Sequence, residues 1–296
     1  MPLGITMNLL NSMPEYNLFG IDDQDYKKAK VVVIPIPYDS TSTYKVGSRE
    51  GPRAIIEASR SLEPYNEEID GYVRDIGIYT TEELQPDFDS PKKTVERISR
   101  EVSILMDDNK IPILLGGEHT IAVGAVKAFS ERDDDFSVLH FDAHADSRDE
   151  LFGTKYCHAC VMARIREMCG SCYSVGVRSI DEDSAKKYSK SILYMKDMEN
   201  MSPKEIADAI IKNTKKKIYM TVDFDVIDPS EMPSTGTPEP GGMKFRDIKE
   251  IIRIVMKKKE LIGADFNELC PIQQAHAPNV LAAKLIYFTL ASAFFR

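Results

Sequence analysis

The sequence is short of positive charge. Its 38 Lys and Arg stand against 47 Asp and Glu, a formal net charge of -9, and no Lys/Arg run offsets that balance. This argues against a nucleic-acid partner and suits a small cationic substrate. The opening MPLGITMNLLNSMPEY lacks the basic start and continuous apolar run of a signal peptide. The most apolar stretch, VLAAKLIYFTLASAFF (280–295), is shorter than a membrane span and carries Lys284, so a core or subunit-interface helix is expected there, with no membrane partner. Cysteine is scarce, at 5 residues, and these are expected to be reduced in a cytoplasmic protein. No repeat, low-complexity tract or linker-like composition shift divides the chain. A single domain over 1–296 is the expectation.

What is present is ordinary in amount and specific in arrangement. The 296 residues, 43% hydrophobic and 29% charged, approach the upper limit for one hydrophobic core. Apolar, β-rich runs recur as VVVIPI (31–36), IPILL (111–115), SVLHFDA (137–143), YSVGV (173–177), ILYM (192–195), IYMTVDF (218–224) and LIGADF (261–266). They are continuous rather than alternating, as parallel strands covered on both faces require. Helical patterns separate them. Ser90-Pro91 opens one with Val95, Ile98, Val102 and Leu105 on one face, and Ser202-Pro203-Lys204-Glu205 combines a capping box with proline at the first helical position. The alternation predicts a three-layer, doubly wound α/β fold with a mostly parallel sheet.

Ligands in such sheets gather beyond the carboxyl ends of the strands. Four strand ends here carry acids or imidazoles: Glu118-His119, Asp142-Ala143-His144-Ala145-Asp146, Asp223-Phe224-Asp225 and Asp265-Phe266-Asn267-Glu268. Side-chain alternation would point Asp142, His144 and Asp146 one way, and Asp223 and Asp225 together. Four converging carboxylates repel unless cations separate them. Two divalent ions would balance their charge, and an oxygen-rich set with imidazole and no thiolate suits manganese better than structural zinc.

Gly-Gly-Glu-His, Asp-Ala-His-Ala-Asp, Asp-Phe-Asp and TGTPEPGG (235–242), in that order, resemble the ureohydrolase family of arginases, agmatinases and relatives. The resemblance runs over about 30–296 and includes STSTYKVGSREGPRAI (40–55), similar to the family's substrate-side loop and helix. It implies an arginase-like fold, two Mn2+ per chain and a trimer or hexamer. It also implies that His119, Asp142, Asp146 and Asp223 hold one ion, and Asp142, His144, Asp223 and Asp225 the other. The implied reaction releases urea from a guanidinium, with Glu268 binding that cation and His158 protonating the departing amine. His140 is expected beside the ligands or packed in the core, without a ligand role. His276 is placed only on a loop.

The sequence departs from arginases where they read an amino acid. Ser147-Arg148-Asp149-Glu150 and Gly176-Val177-Arg178-Ser179 lack the expected Asn and Asp. Asp149 and Glu150 are candidates to receive a second cationic end. Agmatine is therefore the expected substrate, with aminopropyl-agmatine, guanidinobutyrate or arginine as alternatives. Two other classes compete: an inactive regulatory homologue, and a zinc module built on Cys157-His158-Ala159-Cys160 and Cys169-Gly170-Ser171-Cys172.

Overall fold

Eight parallel strands form the central sheet of the computed structural model, which describes residues 15–87, 89–133 and 135–295. The N-terminal stretch 1–14 lies outside the described residues, so most of the segment assessed for signal features does too. In chain order the strands are β1 (Val31–Ile36), β2 (Ile78–Thr80), β3 (Ile111–Gly116), β4 (Phe136–Phe141), β5 (Cys172–Val177), β6 (Ile192–Tyr194), β7 (Lys217–Asp223) and β8 (Glu260–Asn267). Their order across the sheet is β2-β1-β3-β8-β7-β4-β5-β6. A small antiparallel pair, Tyr65–Asn66 with Gly71–Tyr72, stands apart.

The continuous apolar runs find the two-sided burial they predict. Every residue of β1 and β4 is buried, with Val31 and Val33 in one core cluster and Val32, Ile34 and Ile36 in the other. Helices α2 (Pro91–Asp107), α3 (Ile121–Ser130) and α4 (Val161–Met168) cover one face. Helices α1 (Gly51–Ser59), α7 (Pro203–Asn213), α8 (Phe245–Met256) and α9 (Ala277–Phe294) cover the other. Short α5 (Glu182–Tyr188) and α6 (Met195–Met198) flank β6. This is the three-layer, doubly wound architecture expected. The Ser202–Glu205 capping box forms as read. Helix α9 is long and apolar enough to cross a membrane by length and composition, but half of it is buried. Ala282, Ala283, Leu285, Ile286 and Leu290 pack into the core cluster it shares with α1 and α8, so it forms part of one outer layer.

The order β3-β8-β7-β4 puts four motif-bearing strand ends side by side at the middle of the sheet. Asn267 pairs with Asp223, Phe266 with Leu115 and Phe141 with Val222. Residues separated by more than a hundred positions thus emerge along one edge.

Candidate metal centre

The acids and imidazoles meet at that edge, though strand alternation does not bring them there. β4 ends at Phe141, and the chain turns through Asp142–Asp146 with Asp146 at φ 46°. Asp225 lies in a 3-10 turn, Phe224–Val226, beyond β7. Glu268 has φ 67°. Left-handed backbone at non-glycine residues carries strain, which the surrounding structure must impose. At Glu268 the constraint is visible: its N–H donates to Gly117 O at 2.7 Å, and its Oε1 accepts from His119 N at 2.7 Å. The chain must approach closely here, since a Cβ at Gly117 would lie 2.1 Å from Tyr38 O.

Two groups of ligand atoms form. His119 Nδ1 stands 3.2 Å from Asp142 Oδ2, 3.4 Å from Asp146 Oδ2 and 3.6 Å from Asp223 Oδ2. His144 Nδ1 stands 2.8 Å from Asp225 Oδ2 and 3.6 Å from Asp142 Oδ1. Asp142 belongs to both. Burial alone would raise its carboxyl, but His140, His119 and His144 hold it well below the usual range. The other acids move upward: burial and neighbouring carboxylates push Asp146 to about 6, raise Asp223 well above its usual value, and raise Asp225. For Glu268, burial and the charge of Glu118 have the same effect.

His119 tests whether a cation fits. Thr221 gives its single hydroxyl hydrogen to Asp265 Oδ1 at 2.5 Å, so at 2.7 Å from His119 Nε2 it can only accept. The imidazole therefore carries hydrogen on Nε2. Among the described residues its buried Nδ1 has no well-formed hydrogen bond, yet it faces three carboxylates. Against the effect of burial, Asp142, Asp146 and Asp223 raise the pKa of His119 well above its usual value. Nδ1 therefore holds a proton among the carboxylates, and a divalent cation suits the place that proton occupies. The residues fit the group.

The cavity above the cluster has a volume of about 380 Å³. His144, Asp146, Asp223 and Glu268 lie on its wall with His158, Gly236 and Thr237, and Ser42–Lys45 close one side. His158 Nε2 is 3.1 Å from Thr43 Oγ1. Burial, then the charges of His119 and His144, lowers its pKa to about 4, so the ring is neutral where an ordinary histidine would be titrating. The TGTPEPGG run is pinned from below: Asp228 accepts from Gly241 N at 2.9 Å and Gly242 N at 3.0 Å, while Arg178 Nη2 donates to Asp225 O and Glu239 O at 2.7 Å.

Several positioning groups were not identified in the sequence. Glu118 accepts from Thr41 N, Thr41 Oγ1 and Thr120 Oγ1, each at 2.6 Å, which ties the Ser42–Lys45 loop to the end of β3. Arg178 and the Thr221–Asp265 pair are likewise structural partners of the ligands. The GGEH motif and the Asp265-Phe266-Asn267 run carry the sequence signal for Glu118 and Asp265, and the Gly176-Val177-Arg178-Ser179 stretch that for Arg178.

The structure does not bring Asp149 and Glu150 to the cavity. Asp149 pairs with Arg164 and with Lys155 at 3.1 Å, and both acids line a neighbouring cavity under α4. The loop turns outward after Arg148, so Lys45 and Arg148, both cationic, line the substrate-side opening instead. The cysteines do not assemble a zinc site either. Cys157 and Cys160 approach to 3.2 Å, but among the described residues the groups able to hold a metal are His119–His140–Asp142 and Asp142–His144–Asp225. His140 Nε2 lies 2.8 Å from Asp142 Oδ2. His276 is the N-cap of α9, where it lines a third cavity with Cys270.

The Arginase family model matches residues 29–291. An N(1)-aminopropylagmatine ureohydrolase from Thermus thermophilus is 36% identical over 275 residues, covering 92% of this chain and 93% of that protein. An agmatinase from Halalkalibacterium halodurans is 32% identical, covering 90% and 92%. Among solved structures, the agmatine ureohydrolase of Thermoplasma volcanium superimposes with a TM-score of 0.86 at 30% identity, covering 96% of this chain and 95% of its own.

Proposed function

The chain belongs to the arginase family, and from that membership and the geometry of its cluster we propose a ureohydrolase that converts agmatine, or its aminopropyl derivative, to urea and the corresponding amine. The observation that carries this reading is the buried His119 Nδ1 facing three carboxylates. We assign one cation, Mn2+, to His119, Asp142, Asp146 and Asp223, and a second to Asp142, His144, Asp223 and Asp225. When bound, such ions act as Lewis acids and lower the pKa of water from about 15.7 to about 7.

The chain's own residues supply the rest. Glu268, held by the His119 amide, offers its second carboxylate oxygen to a planar guanidinium through charge-assisted bonds. As water adds its oxygen to the guanidinium carbon, neutral His158, anchored by Thr41 and Thr43, takes a proton from it on Nε2. It delivers that proton to the nitrogen that leaves as the C–N bond breaks, giving urea and the amine. The protein is read as a cytoplasmic homo-oligomer, a trimer or hexamer, in line with the family resemblance.

A second reading concerns only the tail of the substrate. Lys45 and Arg148 at the opening favour a guanidine ending in a carboxylate, such as guanidinobutyrate. Urea release from agmatine, aminopropyl-agmatine, guanidinobutyrate and arginine decides between them. The first reading predicts that kcat/KM for agmatine or its aminopropyl derivative exceeds that for arginine by at least roughly 100-fold. Higher kcat/KM for guanidinobutyrate than for either would select the second. No urea from any of the four would overturn both.

A further inference from the structure

Arg166 on α4 is half-buried, and no carboxylate lies at ion-pair distance from it among the described residues. It stacks on Tyr188 at 4.3 Å, and its Nε is buried without a hydrogen-bond partner. A partly buried charge without a counter-ion is costly, so the groups it does touch are informative. Nη1 donates to Ser147 Oγ at 2.6 Å, and Ser147 in turn donates to Ala145 O at 2.6 Å, inside the loop that bears His144 and Asp146. Nη2 donates to Ser174 Oγ at 3.2 Å. Ser174 lies opposite His140 across the β4–β5 register, with its Oγ 3.0 Å from His140 Nδ1. His140 Nε2 is 2.8 Å from Asp142 Oδ2. Ser174, His140 and Asp142 are fully buried, so solvent does not compete for these contacts.

The donor directions close in one sense. A guanidinium only donates, so Ser174 accepts from Arg166. A carboxylate only accepts, so His140 Nε2 carries the hydrogen facing Asp142, and Nδ1 of the neutral ring is left to accept the Ser174 hydroxyl hydrogen. The imidazole hydrogen is then on Nε2 and points at Asp142. We propose that Arg166 and Ser174 are positioning residues that lock His140 as an Nε2–H donor to Asp142, orienting that carboxylate between the two cation positions. The proposal rests on Asp142 being a metal ligand. Groups that hold a ligand in this way typically change metal affinity by about 10–100-fold when removed.

Two measurements test it on the full chain. In histidine-labelled protein, 15N NMR should show His140 protonated at Nε2 in the wild type and lose that single form in Ser174→Ala. An Nδ1–H form in the wild type, or an unchanged tautomer in the variant, overturns the proposal. Competition with a chelator should show Mn2+ held about 10–100-fold more weakly by Ser174→Ala. Arg166→Met should also weaken binding in the wild-type background, and should weaken it less in Ser174→Ala, because the two residues share the chain to His140 while the separate contact of Arg166 with Ser147 persists. Unchanged affinity in Ser174→Ala, or fully additive losses, overturns it. Failure of the wild type to bind Mn2+ would instead overturn the two-cation reading, and the tautomer measurement would still judge the hydrogen-bond chain.

Discussion

At the scale of single residues, Asp142 separates a metal centre from a cluster of buried acids. It is the carboxylate near both His119 Nδ1 and His144 Nδ1. Asp142→Asn keeps the shape and removes the charge, so metal content by elemental analysis should fall along with turnover. Full occupancy and an unchanged rate would contradict the shared-ligand assignment. His158 behaves differently, because it touches Thr41 and Thr43 rather than the ligand group. His158→Ala should leave metal content intact and lower kcat by roughly 10²–10⁴. Loss of metal in that variant would make it a ligand. The ligand candidates were legible in the sequence because acids and imidazoles at the ends of apolar strands have few structural uses. The strained backbone at Asp146 and Glu268 was not, because neither residue type announces a left-handed conformation. Glu118 was seen only as part of a motif, since its partners Thr41 and Thr120 are common residues with no spacing signal.

At the scale of elements, the strands were legible to within a residue or two because both faces are buried and their apolar runs are unbroken. The edge strand Ile78–Thr80 escaped notice: three residues paired along one side only leave no pattern. Loops were read least well. Sequence adjacency placed Asp149 and Glu150 with the metal motif, but the turn after Arg148 carries them to the neighbouring cavity. Changing them to Asn and Gln should therefore leave the kcat/KM ratio of agmatine to arginine within about threefold of wild type, well below the tenfold that about 1.4 kcal/mol would give. A larger change would return them to the substrate site. The Ser42–Lys45 loop has its own test in Glu118, whose pKa burial raises to about 7. A carboxyl with a raised folded-state value stabilises fully below the unfolded value near 4.5, and loses that contribution as pH rises through about 7. Gln does not titrate. In metal-free protein, the melting temperature of Glu118→Gln relative to wild type should therefore climb between those pH values, whatever its offset. A flat or falling difference would contradict the assigned burial.

At the scale of the whole molecule, the fold's contribution is convergence. Parallel crossover connections bring the ends of β3, β8, β7 and β4 together, and the acids they carry repel one another until cations arrive. Cations that bind only the folded chain stabilise it by about 2.7 kcal/mol per site at roughly 100 times Kd. Stripping with chelator should lower the melting temperature by at least roughly 5 °C, and Mn2+ should restore it. The most direct test of the account joins metal to chemistry: urea release from agmatine or aminopropyl-agmatine by stripped protein, titrated with Mn2+. Two-metal chemistry predicts negligible activity without metal and a rise that saturates at two equivalents per chain. Full activity in the stripped protein, or saturation at one equivalent, would contradict it.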